Sequence, residues 1–242
     1  MTHESPNQPI ALVCGVGPGL GLALVRCFTE AGMQVAMCAR RLEPLESWAA
    51  ELAGDGARLC VYGCDVTSEE EVTRMYRQLQ TDLGVPDLVV YNAGAFMPAR
   101  VTEIQTADFE YCWRVACLGG FLVGREAARL METRASGTII FTGATASLRG
   151  GAGFANLAVG KAGLRALAQS MARELGPAGI HVGHVIVDGQ IRSERHAELA
   201  RTRPPDGMLE PDAIATNYLH LHRQPRSAWT LELDLRPWVE KF

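Results

Sequence analysis

The sequence predicts an α/β fold: a single domain on a doubly wound parallel β-sheet of about seven strands, with helices on both faces. Three observations predict it. Short runs rich in β-branched residues alternate with longer amphipathic stretches, the pattern of strand and crossover-helix units. Most of the short runs are almost continuously apolar, as strands covered on both faces must be. A glycine-rich turn follows the first run and opens the first amphipathic stretch.

The runs place strands at 10–14, 34–39, 59–64, 88–92, 138–142, 181–187 and 229–233. The amphipathic stretches place helices at 20–31, 42–52, 68–83, 106–132 and 156–175. Thr67 or Ser68 with Glu71 offers a capping box for the third helix, and Gly84 after Asp82 and Leu83 is a suitable terminator. No linker, repeat or low-complexity stretch divides residues 1–242. The long irregular segment is 190–208, charged throughout and with Pro204-Pro205 near its end. Such a segment in a compact domain is a substrate-side loop or lid, or else a disordered excursion.

Composition excludes several classes. With 48% apolar and 21% charged residues, the chain can bury a sizeable core. Its net charge of −4, with no basic block beside an aromatic platform, predicts neither nucleic acid nor an anionic membrane as partner. A small-molecule substrate is expected instead. The seven cysteines, at 14, 27, 38, 60, 64, 112 and 117, are odd in number and mostly lie in apolar runs, as reduced core thiols do. Met1 to Pro9 is polar and unlike a leader, and no apolar run approaches the ~18 residues of a membrane span. A cytoplasmic protein is expected.

Cys14-Gly15-Val16-Gly17-Pro18-Gly19-Leu20-Gly21 sits at the first strand-to-helix turn. Glycines there let the backbone turn tightly and approach a pyrophosphate, whose charge the helix N-terminus favours. A dinucleotide-binding Rossmann fold is the implied architecture. Where an NAD site presents an acid to the ribose, the second strand ends in Ala39, Arg40 and Arg41. Two guanidinium groups suit a 2′-phosphate, so NADP(H) is expected in preference to NAD(H). The alternative is that Arg40 and Arg41 only begin the next helix in solvent.

The spacing Gly15-x-x-x-Gly19-x-Gly21 resembles the short-chain dehydrogenase/reductase family, whose motif has threonine where Cys14 stands. Asp65-Val66 is similar to the family's adenine-contacting pair, and Asn92-Ala93-Gly94 to its Asn-Ala-Gly motif. Asp188-Gly189-Gln190-Ile191 stands where the family has Pro-Gly and a nicotinamide-contacting main chain. The resemblance therefore implies cofactor contacts at Gly15, Gly17, Gly19, Leu20, Gly21, Arg40, Arg41, Asp65, Val66, Asn92, Ala93, Gly94, Gly189 and Ile191. It spans nearly the whole chain.

The resemblance also implies a tyrosine as general acid, a lysine four residues later and a serine thirteen residues before the tyrosine. Lys161 matches the lysine, in a catalytic role and in holding the nicotinamide ribose. The tyrosine position is Leu157 and the serine position is Ala144. The helix asparagine of the family's water relay falls near Ala116. Leucine and alanine donate no proton, so the acid that would protonate a developing alkoxide is missing. Thr145, Ser147, Asn156 and Cys117 are nearby polar residues and read better as turn or core positions. His220 and His222 do not face one another on a helix and read as solvated, not as metal ligands.

Three functions fit these residues. The first is an NADP(H)-dependent oxidoreductase with a non-standard active site, acting on acceptors that need no enzyme acid. The second is a non-catalytic NADP(H)-binding protein, and the third a non-redox isomerase or lyase on the same fold. A homodimer or homotetramer is expected, since relatives of this fold pair through helices here at 106–132 and 156–175 and through the last strand. The segment 229–242, with two tryptophans and a terminal phenylalanine, adds apolar surface to that expectation.

Overall fold

In the computed structural model, residues 8–53 and 58–240 are described. Most of the polar N-terminal stretch, and the terminal Phe242, lie outside them. Seven parallel strands form one sheet in the order β3-β2-β1-β4-β5-β6-β7. They are β1 (Ile10–Cys14), β2 (Gln34–Ala39), β3 (Leu59–Gly63), β4 (Leu88–Tyr91), β5 (Gly137–Thr142), β6 (Ile180–Val187) and β7 (Glu232–Leu235). Chain direction across the sheet reverses between β1 and β4, and a crevice opens there at the strands' carboxyl ends.

Strand alternation divides the core into two layers. Leu12 and Cys14 of β1 face one apolar cluster, while Ala11 and Val13 face the other. The first layer is covered by α3 (Glu69–Asp82), α5 (Gly119–Glu132) and α6 (Ala155–Leu175), and the second by α1 (Leu20–Glu30), α2 (Leu42–Leu52) and α8 (Pro211–His222). Both sheet faces are thus dry, which is why the strands read as unbroken apolar runs. No helix among the described residues is long and apolar enough to cross a membrane.

Four expectations need correction. The stretch 106–132 is not one helix: α4 (Thr106–Trp113) passes through a π-helical turn, Arg114–Leu118, into α5. Tyr91 donates its phenolic hydrogen to the Val115 carbonyl at this turn, and a side chain on Gly119 would collide with that phenol. The last strand begins at Glu232, not at 229, because Trp229 stacks on His181 with ring centroids 4.9 Å apart and its indole donates to the Gln224 carbonyl. The segment 190–208 is not irregular throughout: it contains a 3-10 turn, Glu194–His196, and α7 (Ala197–Thr202). His222 is not solvated, for its Nδ1 lies 3.0 Å from Thr138 Oγ1, whereas His220 is exposed.

The third helix starts as half a capping box. Ser68 Oγ accepts from the Glu71 amide at 3.3 Å, but the Glu71 carboxylate reaches the Asp65 amide instead of the Ser68 amide. Gly84, at φ +116°, ends the helix as expected.

Candidate cofactor and active site

Two cavities lie along the carboxyl edge of the sheet. The first, of about 310 Å³, collects four strand-to-helix junctions. Gly15 and Gly17 come from the turn after β1, Arg40 and Arg41 from the end of β2, Asp65 and Val66 from β3, and Asn92, Ala93 and Gly94 from β4. Gly19, Leu20 and Gly21 stand behind this wall at the start of α1.

The glycines of the turn do different things. Gly15 sits at φ +96°, and a Cβ there would lie 2.4 Å from the Ala93 nitrogen. Gly21 is equally constrained, since its Cβ would meet Gly15 O and Val16 Cα at 2.7 Å. These two glycines let the turn pack. Gly17 and Gly19 have no heavy atom within 4 Å of an added Cβ, so protein packing does not demand glycine at either. What they provide is open approach to the backbone, and no side chain caps the first turn of α1. A pyrophosphate fits that combination of space and unpaired N–H groups. Asn92 braces the turn, its amide nitrogen donating to Gly15 O at 3.0 Å and its backbone N–H to Cys14 O at 2.7 Å.

The remaining polar groups of this cleft are held from outside it. Asp65 accepts from the amide and hydroxyl of Thr67, at 2.9 and 2.8 Å. Arg40 donates to the hydroxyl of Tyr111 on α4 at 2.7 Å, across the outer mouth of the cleft. Tyr111 and Trp48 also line the cavity, and sequence reasoning missed both. They sit on amphipathic helices, where an aromatic residue gives no signal of a ligand.

Lys161 is buried near the carboxyl end of β5. Its ammonium donates to the Thr142 carbonyl at 2.7 Å, and burial pulls its pKa down to about 8. Small neighbours allow this depth: a Cβ on Gly160 would lie 2.7 Å from the Ala116 Cβ. Ala116 itself is buried within the π-helical turn. Through these small residues α6 packs closely on the π-helical turn.

The second cavity, of about 510 Å³, adjoins β5 and β6. Ala144, Thr145 and Leu157 line it, as do Gly189 and Gln190; Ile191 does not, and instead pairs in a β-bridge with Leu209. Phe96 and Phe154 form an exposed aromatic pair on its wall, with centroids 5.4 Å apart. Thr145 donates its hydroxyl hydrogen to Asp188, which is buried and whose other carboxylate oxygen lies 3.4 Å from Arg236. Asp188 was legible only as a departure from Pro-Gly, and its hydroxyl partner was not legible at all.

The other polar candidates are used by the fold. Ser147 accepts from the Ala144 amide at 3.1 Å, and Asn156 ties α6 to the Met97 carbonyl while accepting from the Leu157 amide at 2.9 Å. Cys117 packs on α6, where a Cβ at Gly163 would lie 2.9 Å from its sulfur, and burial raises its thiol pKa.

Comparison with known proteins agrees with this geometry. The family model described as short chain dehydrogenase matches residues 9–203. An uncharacterised oxidoreductase of Staphylococcus aureus is 28% identical over 232 residues, covering 96% of this chain and 98% of that protein. A 3-oxoacyl-[acyl-carrier-protein] reductase of Mycobacterium avium is 31% identical over 205 residues, covering 84% of this chain and 72% of that one. The crystal structure of a short-chain dehydrogenase from Rhodopseudomonas palustris superposes with a TM-score of 0.83 at 38% identity, covering 96% of this chain and all of that chain. With a family model matching most of its length and a seven-stranded parallel sheet shared with that solved structure, this chain belongs to the short-chain dehydrogenases.

Proposed function

We propose that the protein is an NADP(H)-dependent oxidoreductase whose acceptor needs no proton from the enzyme. The observation that carries this reading is the wall of the second cavity. Where the family's acid and oxygen-binding groups would stand are Leu157 and Ala144, and the adjacent Thr145 hydroxyl directs its hydrogen to Asp188. A carbonyl oxygen placed there finds no ready donor from these residues, so simple ketone reduction forgoes acid help worth ~10²–10⁴-fold. An iminium acceptor needs none, since hydride addition leaves a neutral amine. An activated alkene also qualifies, because its resulting carbanion takes a proton from water.

NADPH, when bound, supplies the hydride. The turn from Gly15 to Gly21 and the N-terminus of α1 hold its pyrophosphate, and Asp65 and Val66 border the adenine. Arg40 and Arg41 pair with the 2′-phosphate, supported by their place on the cleft wall with no carboxylate beside them at the end of β2. Lys161 holds the nicotinamide ribose and, as a buried cation, favours electron-rich oxygen nearby. Gly189 and Ile191 present main chain to the nicotinamide. The segment 190–208 covers the substrate side, since Gln190, Arg195, His196 and Arg203 already line the second cavity.

Self-association through α4, α5 and α6 accompanies this function. Phe121 on α5 and Val159 on α6 are 40% and 46% exposed, and Phe109 and Trp113 on α4 are also exposed. Sedimentation at micromolar concentration should give a dimer or tetramer; a 26.2 kDa monomer would count against it.

NADPH consumption against iminium, enone and ketone panels tests the catalytic reading. Turnover of iminium or enone compounds is expected. NADPH binding with no turnover of any class would favour a non-catalytic role, and turnover without NADPH consumption an isomerase or lyase.

A further inference from the structure

We propose that the second cavity selects an acceptor carrying an aromatic ring, which packs on Phe96 and Phe154, and that these two phenylalanines set the choice of substrate. The rings come from different connections, Phe96 from the loop after β4 and Phe154 from the residue before α6. Both line the cavity and stay uncovered, at 46% and 39% exposure, with their planes 32° from parallel. Aromatic rings meet such faces in offset or edge-to-face contact and gain more from them than area alone gives.

The pair is held in place before anything binds. The Ala99 amide donates to the Gly153 carbonyl at 3.0 Å, and the Asn156 side chain donates to the Met97 carbonyl, so the Phe96 loop is tied at two points to the segment that bears Phe154. Phe154 is fixed in turn, its amide donating to Gly151 O at 3.1 Å and its carbonyl accepting from the Ala158 amide at 2.8 Å. Rings fixed in advance lose little freedom on meeting a ligand.

Glycines keep the space beside them open. A Cβ at Gly151 would cover the Phe154 ring at 3.5 Å, and one at Gly150 would meet nothing nearer than the Ala158 Cβ at 4.0 Å. Across the cavity several polar groups are already engaged: Thr145 with Asp188, Arg203 with Glu240 at 3.4 Å, and His196 Nδ1 with Ser193 Oγ at 3.2 Å. Leu157 stands one helical turn beyond Phe154, and Lys161 one turn beyond Leu157. That rise of about 10 Å matches a fused bicyclic molecule with one ring on the phenylalanines and its reacting carbon near Lys161. The cavity's 510 Å³ accommodates it.

The word acceptor rests on the hydride-transfer reading of this cavity; the ring preference does not. Calorimetry on the full chain saturated with NADP⁺ would compare 1-tetralone with 1-decalone, neutral ketones of one skeleton that differ in having an aromatic ring. 1-Tetralone should bind at least about threefold more tightly. Phe96→Leu and Phe154→Leu each keep apolar area but remove a ring, and should bring that ratio below about twofold while NADP⁺ affinity, titrated separately, stays unchanged. Equal or tighter binding of 1-decalone, no binding of either ketone, or an undiminished ratio in both variants would overturn the proposal. A preference for 1-tetralone in a chain that fails to bind NADP⁺ would sink the cofactor reading and leave this one standing.

Discussion

The two cavities along the sheet edge are made of different material. The first is shaped largely by main chain: a glycine at φ +96°, a second that admits the start of α1, and an asparagine that braces the first. The second is shaped by side chains from connections far apart in sequence, among them Phe96, Leu157, Asp188 and Arg195. A site built from backbone conformation needs glycine at fixed spacing and so advertises itself. A site built from side chains can change its chemistry without changing the fold, which is how leucine and alanine can line it while the cleft next door keeps its form.

The contrast breaks most visibly at Gly15. Gly15→Ala forces a side chain against the Ala93 nitrogen in a left-handed conformation, and should cost about 3 kcal/mol or more and abolish NADP(H) binding. Gly17→Ala meets no protein atom within 4 Å. It should melt within about 0.5 kcal/mol of the parent by urea unfolding, yet bind NADP(H) at least about tenfold more weakly. Undiminished binding in Gly17→Ala would mean that no pyrophosphate approaches the turn.

His184, on β6, adds a contrast that pH reveals. Its ring is fully buried, a Cβ at Gly143 would lie 2.3 Å from its Nε2, and neither ring nitrogen has a hydrogen-bond partner among the described residues. Burial lowers its pKa to about 4; Glu232 opposes the shift, and Lys161 and Arg165 add to it. Because the folded state refuses a proton that the unfolded chain accepts near 6.5, stability is full above that pH and falls as pH drops toward 4. His181 and His222 are lowered in the same direction. Urea unfolding should show about 2 kcal/mol less stability at pH 5 than at pH 7 from His184 alone. His184→Gln should flatten that slope, and a slope unchanged in the variant would assign it elsewhere.

Smaller effects are expected at the mouth of the nucleotide cleft. Arg40→Ala should reduce the NADP(H) over NAD(H) affinity ratio about tenfold, the worth of a charged hydrogen bond to the 2′-phosphate. Tyr111→Phe removes the hydroxyl that receives Arg40 at 2.7 Å and should move the same ratio by about threefold or less. Cofactor fluorescence titration reads both. An unchanged ratio in Arg40→Ala would return Arg40 to the solvated helix start.

Most of the sheet was legible because its strands are dry on both faces, and the glycine-rich turn beside the first cavity was legible because close backbone packing restricts residue type. The π-helical turn was not, since its cause is a phenol on β4 more than twenty residues away, hydrogen-bonded to Val115. The late start of β7 was hidden because Trp229 looks like a strand residue but stacks on His181. The pairing of Thr145 with Asp188 joins residues 43 positions apart and leaves no periodic trace. Arg195 and Arg203 were visible only as charge in a long segment, whose folding onto the second cavity depends on α7 and the Ile191 to Leu209 bridge.

One comparison of rates addresses both halves of the proposed function, a cleft that holds NADP(H) and a cavity without a proton donor. NADPH consumption with a simple ketone and with a matched cyclic iminium would be measured for the parent and for Leu157→Tyr combined with Ala144→Ser. Iminium turnover by the parent is expected, with ketone turnover at least about a hundredfold slower and the double variant recovering part of that deficit, because Lys161 is placed to lower a tyrosine pKa. Simple ketone reduction by the parent at about 10 s⁻¹, the middle of the ordinary enzyme range, would contradict it.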